Sequence, residues 1–332
     1  MDSTIGGEHT ATARANSNIA LVKYWGKRDR ALNIPAVGSI SITLDALSTE
    51  TTVLFDPALT DDELWLDGRQ QSASRASVVL DLVRTLARVE TRARVTSKND
   101  FPTGAGLASS ASGFAALVVA ACSAAGVEAS EHELSILARR GSASAARSLF
   151  GGYVELHVGT RADGSDSFAE QLLPGDEWPM AVVVAITDLS EKAVSSTEGM
   201  QATSGTSPFY GAWVETAAGD LAGMLSAIAA RDFAALGELA EYSCLKLHAL
   251  MLTTRPALVY WNAATIAALH AVRDLRASGT PAYFTIDAGP QLKALCHPDD
   301  AAALAHTLSR VPGVCETKTS SLGSGARLMA AP

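Results

Sequence analysis

The chain has 332 residues, 48% of them hydrophobic and 18% charged, with a formal net charge of −9. This is the composition of an ordinary soluble globular protein, long enough for two domains. Such an acidic balance excludes a general attraction to nucleic acid or anionic membranes, so an anionic substrate needs a local basic pocket working against the global field.

In chain order, 12–22 reads as a strand leading into the aromatic and basic cluster LVKYWGKR. Residues 39–45 alternate polar and apolar as a half-buried strand does, and 50–56 and 64–66 read as further short strands. Over 73–89 the residues Val78, Val79, Leu82, Val83 and Leu86 fall at helical spacing; ARVTSKND then reads as a strand and its exit loop. The stretch PTGAGLASSAS (102–112) precedes an alanine-rich helix ending near 126. Two short helices are expected over 131–140 and 141–148, and a strand over 151–157. A proline-bearing stretch, 174–179, precedes the apolar MAVVVAIT and is the expected boundary between domains 1–180 and 181–332. The second half predicts helices over 208–229, 231–250 and 262–277 and a strand over 282–286. A helix over 290–295 or 298–310 and strands near 314–319 and 325–330 complete it. Strands come first and are then mixed with helices, without regular βαβ repetition, which predicts α+β.

The cysteines Cys122, Cys244, Cys296 and Cys315 form no CxxC pair. Reduced cytoplasmic thiols are expected. The N-terminus shows no signal-peptide pattern, and no run approaches the ~20 apolar residues of a membrane span.

Three clusters carry candidate chemistry. In 102–112, Gly104 and Gly106 allow a tight turn, and the small residues after them leave amide groups open at a helix start, a natural anion site. The Ser109 and Ser110 hydroxyls add donors for phosphate or a ligand for Mg²⁺; the alternative is a glycine turn capped by serines. No lysine follows, so this is not a GxxxxGK[ST] loop. In NIALVKYWGK (18–27), two lysines flank two aromatics, which suits an anion in a partly enclosed pocket, or else a surface strand end with snorkelling lysines. Strand alternation would put Lys23 and Tyr24 on opposite faces. In YFTIDAGP (283–290), Asp287 ends an apolar strand at a sharp turn, as a turn-former or as an acid or base. Arg147, among small residues, suits bidentate recognition of phosphate or carboxylate. Ser195-Ser196-Thr197 can donate hydroxyls or cap a helix, and Arg75 reads as a solvated helix arginine or a phosphate contact.

Taken together, NIALVKYWGKRD, NDFPTGAGLASSASGFAAL, ARSLFGGYV, VSSTEGMQ, TSPFY and TIDAGP resemble the mevalonate diphosphate decarboxylases of the GHMP kinase superfamily. The resemblance implies a ribosomal S5 domain 2-like N-terminal domain, a ferredoxin-like C-terminal domain, a cleft site between them and a homodimer. It implies ATP and Mg²⁺ as cofactors and a phosphorylated mevalonate as substrate. The nucleotide would be held by Gly104, Gly106, Leu107, Ala108, Ser109, Ser110 and Ser112, with Ser110 also on the metal. Asp287 would orient or deprotonate the C3 hydroxyl beside Lys23. Tyr24, Lys27, Ser144, Arg147 and Ser196 match positions for the substrate's phosphates and carboxylate. The chain departs from the family pattern at Gln291 (commonly Asn), Thr197 (Arg in many bacterial members) and Ala143 (usually Gly). A monophosphate substrate, a kinase without decarboxylation and a non-catalytic nucleotide-binding protein stand as alternatives.

Overall fold

In the computed structural model, residues 9–101, 109–190 and 192–330 are described. Strand β1 (His9–Val22) leads into a small hairpin, β2 (Lys27–Asp29) and β3 (Ile34–Pro35). The chain returns as β4 (Ser39–Phe55), antiparallel to β1 along its length. The segments 39–45 and 50–56, expected as two strands, are therefore one. The interruption of alternation between them is a bulge: Asn16 pairs with Ser48 while Asn18 pairs with Thr43, so the surplus residues leave the ladder without ending the strand.

Strands β5 (Glu63–Leu66) and β6 (Arg69–Gln71), helix α1 (Ser74–Ala87) and strand β7 (Ala93–Asn99) follow. β7 extends the sheet antiparallel to β4 and parallel to β5. Helix α2 (Ser109–Ala124) lies across it; Ala115, Ala116, Ala120 and Ala121 are fully buried, so the alanine-rich composition lets the helix sit close on the strands. Helix α3 (Glu131–Gly141) starts at a capping box formed by Ser130 and Glu133. The helix expected over 141–148 is a 3₁₀ segment, Ala143–Leu149. Strands β8 (Tyr153–Leu156) and β9 (Ala169–Leu173) attach to the other end of β4.

A second sheet begins with β10 (Ala181–Ile186), followed by α4 (Ser196–Thr206), α5 (Tyr210–Ala230), α6 (Phe233–Leu252) and α7 (Ala263–Ala277). Then come β11 (Ala282–Ile286), β12 (Leu292–Cys296), α8 (Ala301–Ser309) and β13 (Glu316–Ser320). The antiparallel order is β11-β12-β10-β13. Residues 290–295 thus belong largely to a strand; the helix is α8. A buried run such as LKALC cannot be assigned by periodicity, because every position is covered. The final strand, β14 (Arg327–Leu328), returns to pair with β1. No described helix is long and apolar enough to cross a membrane.

One core joins the halves: Ile19, Leu21, Ile40 and Ile42 of the first sheet pack with Val182, Val184, Tyr283 and Leu295 of the second. Thr285 on β11 donates to the Ala20 carbonyl (3.3 Å), and the Lys23 amide donates to Ser243 Oγ on α6 (2.9 Å). These bonds set the end of β1 against the end of β11. Helix α6 can approach β11 because Gly237 has no side chain: a Cβ there would enter the Tyr283 ring. Gly237→Ala is therefore expected to lower stability by about 1–3 kcal/mol through overpacking, measurable as a shifted urea midpoint.

Candidate active site

β1 ends at Val22, and the next residues leave strand alternation. Lys23 and Tyr24 consequently line the same cleft rather than opposite faces. Gly26 has φ +98°, a conformation that only glycine adopts freely, and the Tyr210 ring fills the space a side chain would need. This turn lets Trp25 and Lys27 face the cleft as well.

Lys23 meets Asp287, which follows β11 directly: Nζ lies 2.6 Å from Oδ1. A second lysine, Lys293 on β12, lies 3.2 Å from Oδ2. The turn after Asp287 uses its backbone carbonyl, bonded to Gly289 N–H, leaving the carboxylate for the lysines and the cleft. Burial alone would raise the Asp287 pKa; the charges and hydrogen bonds of Lys23 and Lys293 override it and hold the carboxyl well below the usual range. Gln291, where asparagine was the family expectation, ties this turn to the end of β10: it accepts from Thr187 N–H (2.6 Å) and donates to the Asp188 carbonyl.

The cleft has a volume of about 720 Å³. Among the described residues its lining holds seven cations, Lys23, Lys27, Arg30, Arg75, Arg140, Arg147 and Lys192, against one carboxylate, Asp287. This is the local basic pocket that the acidic chain requires. Arg147 is almost wholly buried, and its guanidinium donates to Asn18, Ser39 and Ser41. All three are neutral, so they fix its orientation without cancelling its charge. Burial pulls its pKa down to about 10, still protonated near neutrality. Tyr24 presents a buried hydroxyl with no hydrogen-bond partner among the described residues, and burial pushes its pKa up, so it stays a neutral donor.

Ser195 caps α4 in a capping box with Glu198; Ser195, Ser196 and Thr197 thereby bring a helix N-terminus to the cleft. Lys192, which sequence reasoning missed, donates to Ser196 Oγ (2.8 Å) and the Ala288 carbonyl (3.1 Å). It bridges α4 to the turn after Asp287. Lys293 was missed too, though a lysine inside an apolar strand signals a buried carboxylate partner. Arg75, weighed as solvated, lines the cleft and donates to the Gly141 carbonyl (2.9 Å).

Ser109, Ser110 and Ser144 line the cleft. Ser112 does not: it is fully buried, its hydroxyl bonded to Thr49 (2.6 Å) and Ser17 (3.2 Å). One turn into α2, it faces the sheet and anchors the helix there. Gly104, Gly106, Leu107 and Ala108 lie outside the described residues. A second cavity of about 200 Å³ shares Arg75, Ser109 and Ser110 with the cleft.

Comparison with known proteins places this geometry. Residues 15–169 match the diphosphomevalonate decarboxylase-like N-terminal domain, and 182–327 the mevalonate 5-diphosphate decarboxylase C-terminal domain. The chain is 39% identical to the diphosphomevalonate decarboxylase of Homo sapiens over 84% of its length and 74% of that protein's. With that of Eremothecium gossypii it shares 39% identity over 92% and 82%. Among solved structures, mevalonate diphosphate decarboxylase from Staphylococcus aureus superposes with a TM-score of 0.91 at 37% identity, covering 98% of this chain and 99% of that one. A structure described as MDDEF in complex with MVAPP, AMPPCP and magnesium gives 0.90 at 40% identity, covering 98% and 100%. Matched along both halves by sequence and by fold, the chain belongs to the diphosphomevalonate decarboxylase family.

Proposed function

We propose that the chain catalyses ATP-dependent decarboxylation of mevalonate 5-diphosphate to isopentenyl diphosphate, ADP, phosphate and CO₂. The observation that carries this reading is Asp287, held between two lysines in a cleft whose described lining has seven cations and one carboxylate. Two polyanions and a substrate carboxylate need that surplus of positive charge. Asp287 takes the C3 hydroxyl proton as the γ-phosphoryl group of ATP transfers to that oxygen. A tertiary alcohol leaves poorly and a phosphate leaves well. The C3–O bond then breaks, the C1–C2 bonding pair becomes the C2=C3 double bond, and C1 departs as CO₂.

Lys23 and Lys192 stabilise charge developing on the transferring group and the leaving phosphate. Arg147, Tyr24, Ser144, Ser196 and Lys27 bind the substrate's carboxylate and phosphates. Lys27 has no protein partner among the described residues, and burial, with Arg75 and Arg30 nearby, lowers its pKa. Ser109 and Ser110 at the start of α2 hold the ATP phosphates, with Gly104, Gly106, Leu107 and Ala108 before them. The cavity of about 200 Å³ suits the base: Leu64, Leu66, Val95, Phe114 and Leu117 form apolar walls beside Ser97 and Asn99.

Mg²⁺ fits this donor set. Asp287, the one carboxylate of the cleft among the described residues, is already paired, so the Ser110 hydroxyl and phosphate oxygens would hold the ion, in keeping with its preference for phosphate and water. When bound, the ion would supply charge neutralisation for the ATP phosphates during phosphoryl transfer. The same proposal has residues 1–180 and 181–332 as the two domains, and a cytoplasmic homodimer as the working form.

The direct test is ATP-dependent CO₂ release from C1-labelled mevalonate, offered as the 5-diphosphate, the 5-phosphate and the free acid. Release from the diphosphate is expected; ADP formation without CO₂ from any of them would mean a kinase instead. Asp287→Asn is expected to lower kcat by about 10²–10⁴-fold, the range of general-base catalysis, with ATP binding retained in calorimetry. Arg147→Ala is expected to raise KM for the mevalonate substrate by roughly 10-fold or more, the loss of a charge-assisted bidentate contact, and to leave KM for ATP nearly unchanged. Unaltered kinetics in a folded variant would remove Arg147 from substrate binding.

A further inference from the structure

Lys293 lies outside the motifs that carry the family resemblance. On β12, Leu292, Ala294 and Cys296 pack into the core beneath α7 and α8, whereas Leu295 packs into the core shared with the first sheet. Alternation gives Lys293 the same face as Leu295. Its side chain is 1% exposed, and it does not line the cleft. A buried ammonium requires an anionic partner, and Asp287 Oδ2, at 3.2 Å, is that partner.

Resting on the reading of Asp287 as the acceptor of the C3 hydroxyl proton, we propose that Lys293 is a positioning residue for the decarboxylation. From beneath the cleft it pins Oδ2, fixes the carboxylate plane and keeps Asp287 ionised while polyanionic substrates occupy the site.

The other groups around Asp287 cannot take this part. Lys23, Lys192 and Arg147 all line the cleft, so bound phosphates and carboxylate offset their charges. From α6, Cys244 and His248 approach. Burial pushes the Cys244 thiol up to about 11, so it is neutral. His248 Nε2 lies 3.1 Å from the indole Nε1 of Trp261 and 3.4 Å from the Ile286 carbonyl oxygen. Burial, reinforced by Lys23, pulls His248 down to about 3, so it too is neutral. Lys293 is thus the described cation beside Asp287 whose charge no ligand in the cleft meets directly. Burial also lowers the Lys293 pKa, with Asp287 opposing that shift, so each partner favours the other's charged form.

The test is the pH dependence of kcat and kcat/KM for ATP-dependent CO₂ release by Lys293→Met and Lys293→Gln. Removing a charge that depresses the Asp287 pKa moves that pKa up, so the acid limb should move to higher pH by about one unit or more. At neutral pH kcat should fall by about 10²-fold, the scale of a misplaced catalytic group, with KM for ATP little changed. Lys293→Gln, which keeps a donor without the charge, should regain part of the rate but keep the displaced limb. An unmoved limb, with rate lost equally at every pH or not at all, would overturn the proposal.

Should neither variant fold, NMR of the wild-type protein decides. Two lysine ammonium groups should couple across hydrogen bonds to the Asp287 carboxylate carbon, and both couplings should vanish in Asp287→Asn. One coupling in place of two would overturn the clamp. A wild-type enzyme that released no CO₂ while showing both couplings would instead defeat the underlying reading of Asp287.

Discussion

A carboxylate fixed between two buried ammonium groups is the interaction around which the two halves of this chain are arranged. Lys23 arrives from the end of β1, Asp287 from the end of β11, and Lys293 from the start of β12. Removing such charges from water costs several kcal/mol per ion, recovered only when geometry pairs them well. The sheets therefore have little freedom to slide on one another. The hydrogen bonds from Thr285 to Ala20 and from Lys23 to Ser243, together with the shared apolar core, hold the approach at which all three charges meet. Packing and catalysis make the same demand here.

The charge distribution is as constrained as the fold. A chain of net charge −9 repels anions at long range, where salt screens the repulsion within about 8–10 Å. Inside the cleft the sign reverses, and low-dielectric walls strengthen the field of its cations. Arg147 shows how that charge is kept available. Its orientation comes from an amide and two hydroxyls, none of which competes with an incoming anion as a carboxylate would. Of the consecutive arginines in α3, Arg139 is spent on the carbonyls of Leu32, Gly164 and Ser167, whereas Arg140 lines the cleft.

Much of this was legible in the sequence, for identifiable reasons. Helices α5, α6 and α7 fell within a few residues of expectation because their apolar periodicity is long. Lys23, Asp287 and Arg147 stood out as candidates because unusual residue types sit at strand ends or among small neighbours, but their roles came from the family resemblance. What was lost lies where local pattern carries no information. The continuity of β4 depends on a bulge that its partner strand stabilises. LKALC is buried on every side, which hid both a strand and the lysine within it. Ser112 differs from Ser109 and Ser110 only in its rotation about the α2 axis, and that rotation is set by the sheet beneath. Lys192 is an unremarkable loop lysine until α4 and the turn after Asp287 are brought together.

The pairing of β14 with β1 bears on how the protein is made. Leu44 bridges to Leu322, Gly323 N–H donates to the Thr43 carbonyl, and Ala13 pairs with Leu328. On the ribosome, residues 9–173 emerge long before 322–328, so the first sheet must wait with the outer edge of β1 open while the whole second half is translated. Its completion waits on residues that follow the whole second sheet, and this long-range closure favours slow folding. Until then an unpaired strand edge is displayed to other nascent chains, a natural point for a chaperone to act.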